Sequence, residues 1–229
     1  MIDLDKVTTK YYSVDQVINR GGNISKLYSV SKRIIDIIFA LFGIIICLPI
    51  FIVISIFYLQ GESKGPILFK QVRIGKNGEK FNIYKFRSMI VNAEEVLKSD
   101  EKLYQKYIKN NFKLEQDEDP RITNIGRLLR KTSLDELPQL INVLIGNMSL
   151  VGPRPVVLEE LQEYGERKRE FLSVKPGITG YWAISGRSDV DYPERVDLEL
   201  YYVYNQSLLL DIKIILKTGL MVVLKKGAY

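Results

Sequence analysis

The sequence predicts an α+β protein, mostly helical, with a re-entrant membrane helix hairpin, one β-hairpin and several short interfacial amphipathic helices. Three observations predict it. An apolar run from Ile34 to Gln60 carries no charge between Ile37 and Leu59, yet basic residues stand on both of its flanks. The stretch ILFKQVRIGKNGEKFNIYKFRSM, Ile67 to Met89, alternates apolar and polar residues around the turn signal GKNG. Farther on, Leu137, Leu140, Ile141, Leu144, Ile145 and Met148 recur at helical spacing, as a buried stripe would.

Residues 1–33 are mixed and polar, with Gly21-Gly22 as a break, and form an N-terminal extension. Residues 34–60 are long enough for an ordinary single-pass helix, which needs about 20 apolar residues. Pro49 and the flanking charge argue for a different path. Lys26, Lys32 and Arg33 precede the run; Lys64, Lys70, Arg73, Lys76, Lys80, Lys85 and Arg87 follow it, with Glu62 and Glu79 the only acids between 61 and 87. The positive-inside rule holds either flank in the cytoplasm. A helix that dips in, breaks at Pro49 and returns satisfies both flanks. Each arm of about 13 residues is too short to span. Backbone groups freed at the proline need Ser55 or other protein contacts, and Asp36 stays at headgroup level. A cleaved signal peptide does not fit, because the run starts late, is long and lacks a small-residue cleavage site.

Val91 to Phe112 predicts a solvated helix of mixed charge, and Asp119-Pro120 a turn. RITNIGRLLRK predicts a short basic helix with Ile122, Ile125, Leu128 and Leu129 on one face. The helix carrying the Leu137–Met148 stripe ends at VGPRPV. A charged helix follows over 156–171, and KPGITG turns the chain. In LLLDIKIILKTGLMVVLKK, Lys213, Lys217 and Lys225 fall at multiples of four. That pattern fits a helix in the membrane interface with its lysines toward water, or a buried helix with one wet edge.

With 229 residues, 46% of them hydrophobic, the chain can build a sizeable core. Its 33 Lys and Arg against 27 Asp and Glu leave a net charge of +6, which favours an anionic partner. The basic residues are scattered over several segments, so no nucleic-acid recognition element emerges. Histidine is absent and Cys47 is the single cysteine. His-based triads, histidine zinc sites, thiolate metal clusters and an intramolecular disulfide are thereby excluded. A metal site has to use oxygen ligands, which points to Mg²⁺ or Mn²⁺.

In TSLDELPQL, Thr132 to Leu140, the acids Asp135 and Glu136 are adjacent. Ser133 and Glu136 have the spacing of a capping box. Alternatively the helix starts with Pro138 at its first position. Either way the acids lie at a helix N-terminus. Arg130 and Lys131 stand just upstream, while Arg87, Arg154 and Arg187 occupy YKFRSM, VGPRPV and SGRSD. Acids able to hold Mg²⁺, together with several arginines, are the inventory of phosphoryl transfer, and a carboxylate can be its nucleophile.

YKFRSM, RLLRKTSLDELPQLINVLIGNMSLVGPRP, KPGITG…SGRSD and YYVYNQSLLLDIKIILKT occur in that order. Over residues 31–229 they resemble the bacterial sugar transferases, also called monotopic phosphoglycosyl transferases. The resemblance implies a hairpin broken at Pro49 and a cytoplasmic catalytic domain, residues 61–229, at the surface of the bacterial cytoplasmic membrane. It implies transfer of a sugar-1-phosphate from a UDP-sugar to undecaprenyl phosphate with release of UMP, opening assembly of a surface glycan. Asp135 is then the nucleophile and a Mg²⁺ ligand, and Glu136 orients or deprotonates the lipid phosphate. Arg130, Arg154 and Arg187 match the family's anion-handling arginines, with Lys85 and Arg87 beside them and Glu199 as a further substrate contact. Membrane lipids, downstream glycosyltransferases and a second copy of the chain are the remaining candidate partners. Ala183 stands where Gln is frequent, Glu199 where Asp is usual and Gln206 where Trp is frequent. Members often carry a large N-terminal membrane domain, so the short extension implies a minimal form. Two other functions compete: a non-catalytic, membrane-tethered basic binding module, and a single-pass Mg²⁺-dependent phosphohydrolase.

Overall fold

The apolar run is a single helix, α1 (Lys26–Ile56), in the computed structural model, which describes residues 26–109, 114–115, 117–186 and 190–223. Most of the N-terminal extension, Arg187 and Lys225 lie outside the described residues. The other elements are β1 (Leu68–Ile74), β2 (Lys80–Phe86), α2 (Ala93–Ser99), α3 (Glu101–Lys109), α4 (Asn124–Thr132), α5 (Gln139–Ile145), β3 (Ser149–Val151), α6 (Lys168–Phe171), β4 (Gly177–Thr179), α7 (Tyr181–Ile184), α8 (Glu194–Tyr204) and α9 (Leu208–Val223). The chain is mostly helical, as expected.

α1 is long and apolar enough to cross a membrane. It starts inside the stretch read as the extension, and it runs through Pro49 without ending. The expected break is therefore not drawn as a gap between two arms. A proline removes one hydrogen bond and bends a helix, and an apolar helix tolerates that loss. Ser55 does not repair it: its hydroxyl donates to Phe51 O at 2.7 Å, not to the carbonyl four residues before Pro49. One stripe of the helix is covered. Asp36, Ala40 and Ile54 are buried, as is Tyr58 just past its end, with Gly43, Ile44, Cys47 and Phe51 partly covered. The remaining faces stay apolar and exposed, including Ile38, Phe42, Ile45 and Ile52.

The chain packs as two units, which divide α1 and the β1–β2 hairpin between them. In the first unit, the head of α1 is tied down by charge. Lys32 Nζ meets Asp211 Oδ2 at 2.8 Å, and Tyr28 and Tyr202 donate to the same carboxylate. Arg33 donates to the carbonyls of Val143 and Leu144, at the end of α5. Asp36 accepts from Ser149 Oγ and Leu150 N. Ala40 packs with Phe81, Ile83, Val143 and Met148. Full burial of a large aliphatic or aromatic side chain stabilises by about 1.5–3 kcal/mol.

A second sheet, β3 pairing parallel with β4, was not expected: KPGITG is half strand, with Ser149 opposite Gly177 and Val151 opposite Thr179. Around it, Val151, Ile184, Tyr202 and Ile214 form one core, while Val156, Leu161, Tyr164, Phe171, Val196 and Leu200 belong to another. The helix expected over 156–171 is a 3-10 run, Glu160–Arg167, kinked at Gly165 (φ 49°, ψ −129°) ahead of the one-turn α6. The α5 stripe is also corrected. Gln139, Asn142 and Val143 are its buried positions, while Ile145 is exposed. Asn142 earns burial through hydrogen bonds: its amide donates to Asn82 O at 2.7 Å, and its carbonyl accepts from Gly146 and Met148. α9 presents Leu209, Ile212, Leu216 and Leu220 outward and packs Leu210, Ile214 and Ile215 inward.

In the second unit, Ile54 and Tyr58 pack on Phe86 and Leu129. The helix expected over 91–112 divides into α2 and α3 at Asp100, whose carboxylate accepts from Leu103 N as a cap. The β-hairpin lies where its alternation put it.

Candidate active site

The acid pair is positioned by the end of α4. Thr123 caps that helix, accepting from Gly126 N at 3.0 Å. Gly126 is required there, because a Cβ would sit 1.9 Å from Ser88 O. Ser133 ends the helix in the left-handed conformation, φ 56°, with its N–H on Arg130 O. The capping box does not form: Ser133 makes no side-chain cap, and the acids lie in a 3-10 turn, Leu134–Glu136, with Pro138 just ahead of α5. Leu134 and Leu137 pack into the Ile54, Tyr58, Phe86 and Leu129 core. These two leucines pin the turn and set Asp135 and Glu136 between them.

Lys85, on β2, reaches Glu136 Oε1 at 2.7 Å, with side chains 23% and 28% exposed. Arg130 Nε donates to Ser88 Oγ at 2.8 Å. Burial pushes the Asp135 carboxyl up to about 6; Lys85 and Arg130 pull it down, and Glu136 pushes it up. Asp135 is thus a carboxylate largely withdrawn from water, in the field of two cations. Such a group is less masked by hydration than an exposed acid, and the cations offset its repulsion of a phosphate.

Arg87 departs from the phosphate-binding expectation. It is 7% exposed, and its guanidinium donates to the carbonyls of Ser63, Lys64, Pro66 and Met89. Tyr58 lies against it, ring centroid 5.2 Å away, and donates to Arg87 O. Arg87 is a latch for the segment that follows α1.

Arg154 and Glu199 fall in the first unit, separately from the acid pair. Glu199 is fully buried and accepts from Arg154 N at 2.6 Å and Arg195 Nε at 3.3 Å. Arg195 and Trp182 join this cluster and were missed in the sequence. The single tryptophan in GYWAISGR was the available signal.

Among the described residues, no group of three His, Cys, Asp or Glu side chains could hold a metal alone. Mg²⁺ keeps several waters and takes as few as one carboxylate together with substrate phosphates, so a site on Asp135 does not need such a group.

The chain matches the family described as bacterial sugar transferase over residues 27–226, and it belongs to that family. It is 46% identical over 201 residues to the undecaprenyl-phosphate galactose phosphotransferase of Salmonella typhimurium strain LT2, covering 86% of this chain and 41% of that protein. It is 42% identical over 212 residues to the exopolysaccharide production protein ExoY of Sinorhizobium fredii, covering 91% and 92%. Identity to the UDP-glucose:undecaprenyl-phosphate glucose-1-phosphate transferase of Klebsiella pneumoniae is 40% over 208 residues, 87% of this chain and 42% of that protein. The chain therefore spans less than half of the first and third relatives and nearly all of ExoY.

Proposed function

We propose that this chain transfers a sugar-1-phosphate from a UDP-sugar to undecaprenyl phosphate, releasing UMP, as the first membrane step of a capsule, exopolysaccharide or O-antigen pathway. The names of its relatives support the reaction class. The observation that carries it to residues is Asp135: a desolvated carboxylate beside Lys85 and Arg130, on a turn pinned by Leu134 and Leu137.

In this reaction an Asp135 oxygen attacks the β-phosphorus of the donor. The bond from that phosphorus to the bridging oxygen breaks, and UMP leaves with the electron pair. Asp135 then carries the phosphosugar. A phosphate oxygen of the lipid attacks the same phosphorus, the bond to Asp135 breaks, and the carboxylate returns. Lys85 and Arg130 offset the charge that gathers on the phosphoryl oxygens. Glu136, held by Lys85, orients or deprotonates the lipid phosphate. Arg154 and Arg187 belong to the proposal as anion-handling residues. Asp135 would hold a Mg²⁺ or Mn²⁺ ion, which when bound neutralises phosphate charge.

The lipid acceptor presents its phosphate at the headgroup plane. α1 is therefore a re-entrant element with both ends on the cytoplasmic face, and α9 lies in the interface on its Leu209–Leu220 stripe. The basic residues on both flanks of the apolar run support this.

Purified protein in detergent, given a panel of UDP-sugars, Mg²⁺ and undecaprenyl phosphate, releases UMP only when the lipid is present. UMP without lipid would mean hydrolysis, and no UMP with any sugar would mean a binding module. For topology, Leu27→Cys in a Cys47→Ser background reacts with an impermeant thiol reagent only after the membrane is opened. Labelling in intact cells would mean a full crossing.

A further inference from the structure

The first unit holds a second concentration of charge, around the Trp182 ring. The guanidinium carbons of Arg154 and Arg195 lie 5.6 and 5.3 Å from its centroid. Glu199 bonds both arginines, through the Arg154 main-chain N–H and Arg195 Nε. One buried carboxylate thus holds the Arg195 guanidinium and the Arg154 main chain. Burial also pushes that carboxyl up to about 7, against the pull of Arg195 and Arg154, so it offsets less than a full charge. The cluster lies in a place where Trp182 is 7% exposed and the Arg195 side chain 13%.

Two donors in this cluster are buried without a hydrogen-bond partner among the described residues: Arg195 Nη2 and Trp182 Nε1. An unsatisfied buried donor is costly, and more so when it is charged. An anion with several acceptor oxygens satisfies the donors and the charge together. The guanidinium fork suits a phosphate.

We propose that Arg195 and Trp182 Nε1, with the Arg154 guanidinium, bind the phosphate group of a water-soluble ligand. A lipid phosphate is the alternative source of the same group, and the titration below separates the two. Naming UMP as the ligand rests on the transferase reading above; the phosphate site itself does not. Arg195 is then a binding residue, and Glu199 the positioning residue that holds it and the Arg154 backbone.

Trp182 is the only tryptophan in the chain, so intrinsic tryptophan fluorescence reports on this cluster alone. The full chain in detergent is titrated with inorganic phosphate, UMP, uridine and farnesyl phosphate at constant ionic strength. Phosphate and UMP produce a saturable change in emission; uridine and farnesyl phosphate do not. Arg195→Gln weakens both affinities at least tenfold, and Arg195→Lys weakens them less. Asp135→Asn, which removes the proposed nucleophile, leaves the titration intact. No saturable change in the unmodified chain would overturn the site, and that experiment does not depend on any variant folding. A response to farnesyl phosphate alone would overturn the soluble ligand. Unchanged affinity in Arg195→Lys or Arg195→Gln would remove Arg195 from the site. Loss of the signal in Asp135→Asn would move the anion to the acid pair. Because the titration needs no turnover, a failed transfer assay leaves it standing.

Discussion

Asp135 and Glu199 are two carboxylates perturbed in the same direction by the same cause. Burial drives the first up to about 6 and the second up to about 7. Their surroundings differ. Asp135 rides on a 3-10 turn and feels Lys85 and Arg130 through space. Glu199 sits mid-helix with no exposed surface, and each of its oxygens accepts a hydrogen bond from a neighbouring arginine. A raised pKa therefore does not single out a nucleophile. Available oxygens on a turn fit chemistry, whereas saturated oxygens inside a helix fit positioning.

Substitution separates the two. Asp135→Asn reduces UMP release to background while the melting temperature stays within a few degrees; turnover near the unmodified rate would end its assignment as nucleophile. Glu199→Ala instead costs about 3 kcal/mol in chemical denaturation, because it strands the buried Arg195 guanidinium. A loss under about 1 kcal/mol would show that Glu199 holds nothing.

Lys85 and Arg87 sharpen the contrast within one strand and the residue after it. Arg87→Met frees four carbonyls and costs about 2–3 kcal/mol, with activity per folded molecule little changed. The opposite pattern would restore Arg87 as a phosphate ligand. Lys85→Met removes a partly exposed ion pair worth under about 1 kcal/mol, yet slows UMP release by about a hundredfold, or roughly 2.7 kcal/mol of barrier. Equal losses of stability and activity would make Lys85 structural.

The smallest effect is on pH. Glu199 binds its proton more tightly when folded than the ordinary value of 4.5. Its contribution to stability is fully present below that value and is lost as pH rises through about 7. Glu199→Gln flattens this decline in a series of denaturation curves from pH 4.5 to 7. An unchanged slope would mean that Glu199 is already ionised across the range.

The local patterns were legible wherever one face or one turn sets the answer. The alternation around GKNG located the hairpin, and the acids, Lys85 and Arg130 all fall together in one unit. Charge type alone did not place Arg87, because nothing in YKFRSM reveals that carbonyls from 63 to 89 converge on its guanidinium. The apolar spacing of α5 placed Leu140, Leu144 and Met148 in the core but missed its buried polar positions for a related reason. Asn142 is buried by its hydrogen bond to Asn82 O, a partner 60 residues away. β3 and β4 are only three residues each, and a parallel pair that short leaves no period to detect.

By itself the sequence determined which segments are apolar, where the acids stand beside cations, and that oxygen is the only hard-metal ligand in a chain without histidine. Those properties are local, fixed by side-chain chemistry and spacing. The tertiary structure alone decided which arginine is spent on carbonyls, which acid is sealed inside a helix, and which face of α1 is covered. Those outcomes depend on partners distant in the chain, and burial and hydrogen bonding have no value until the partners meet.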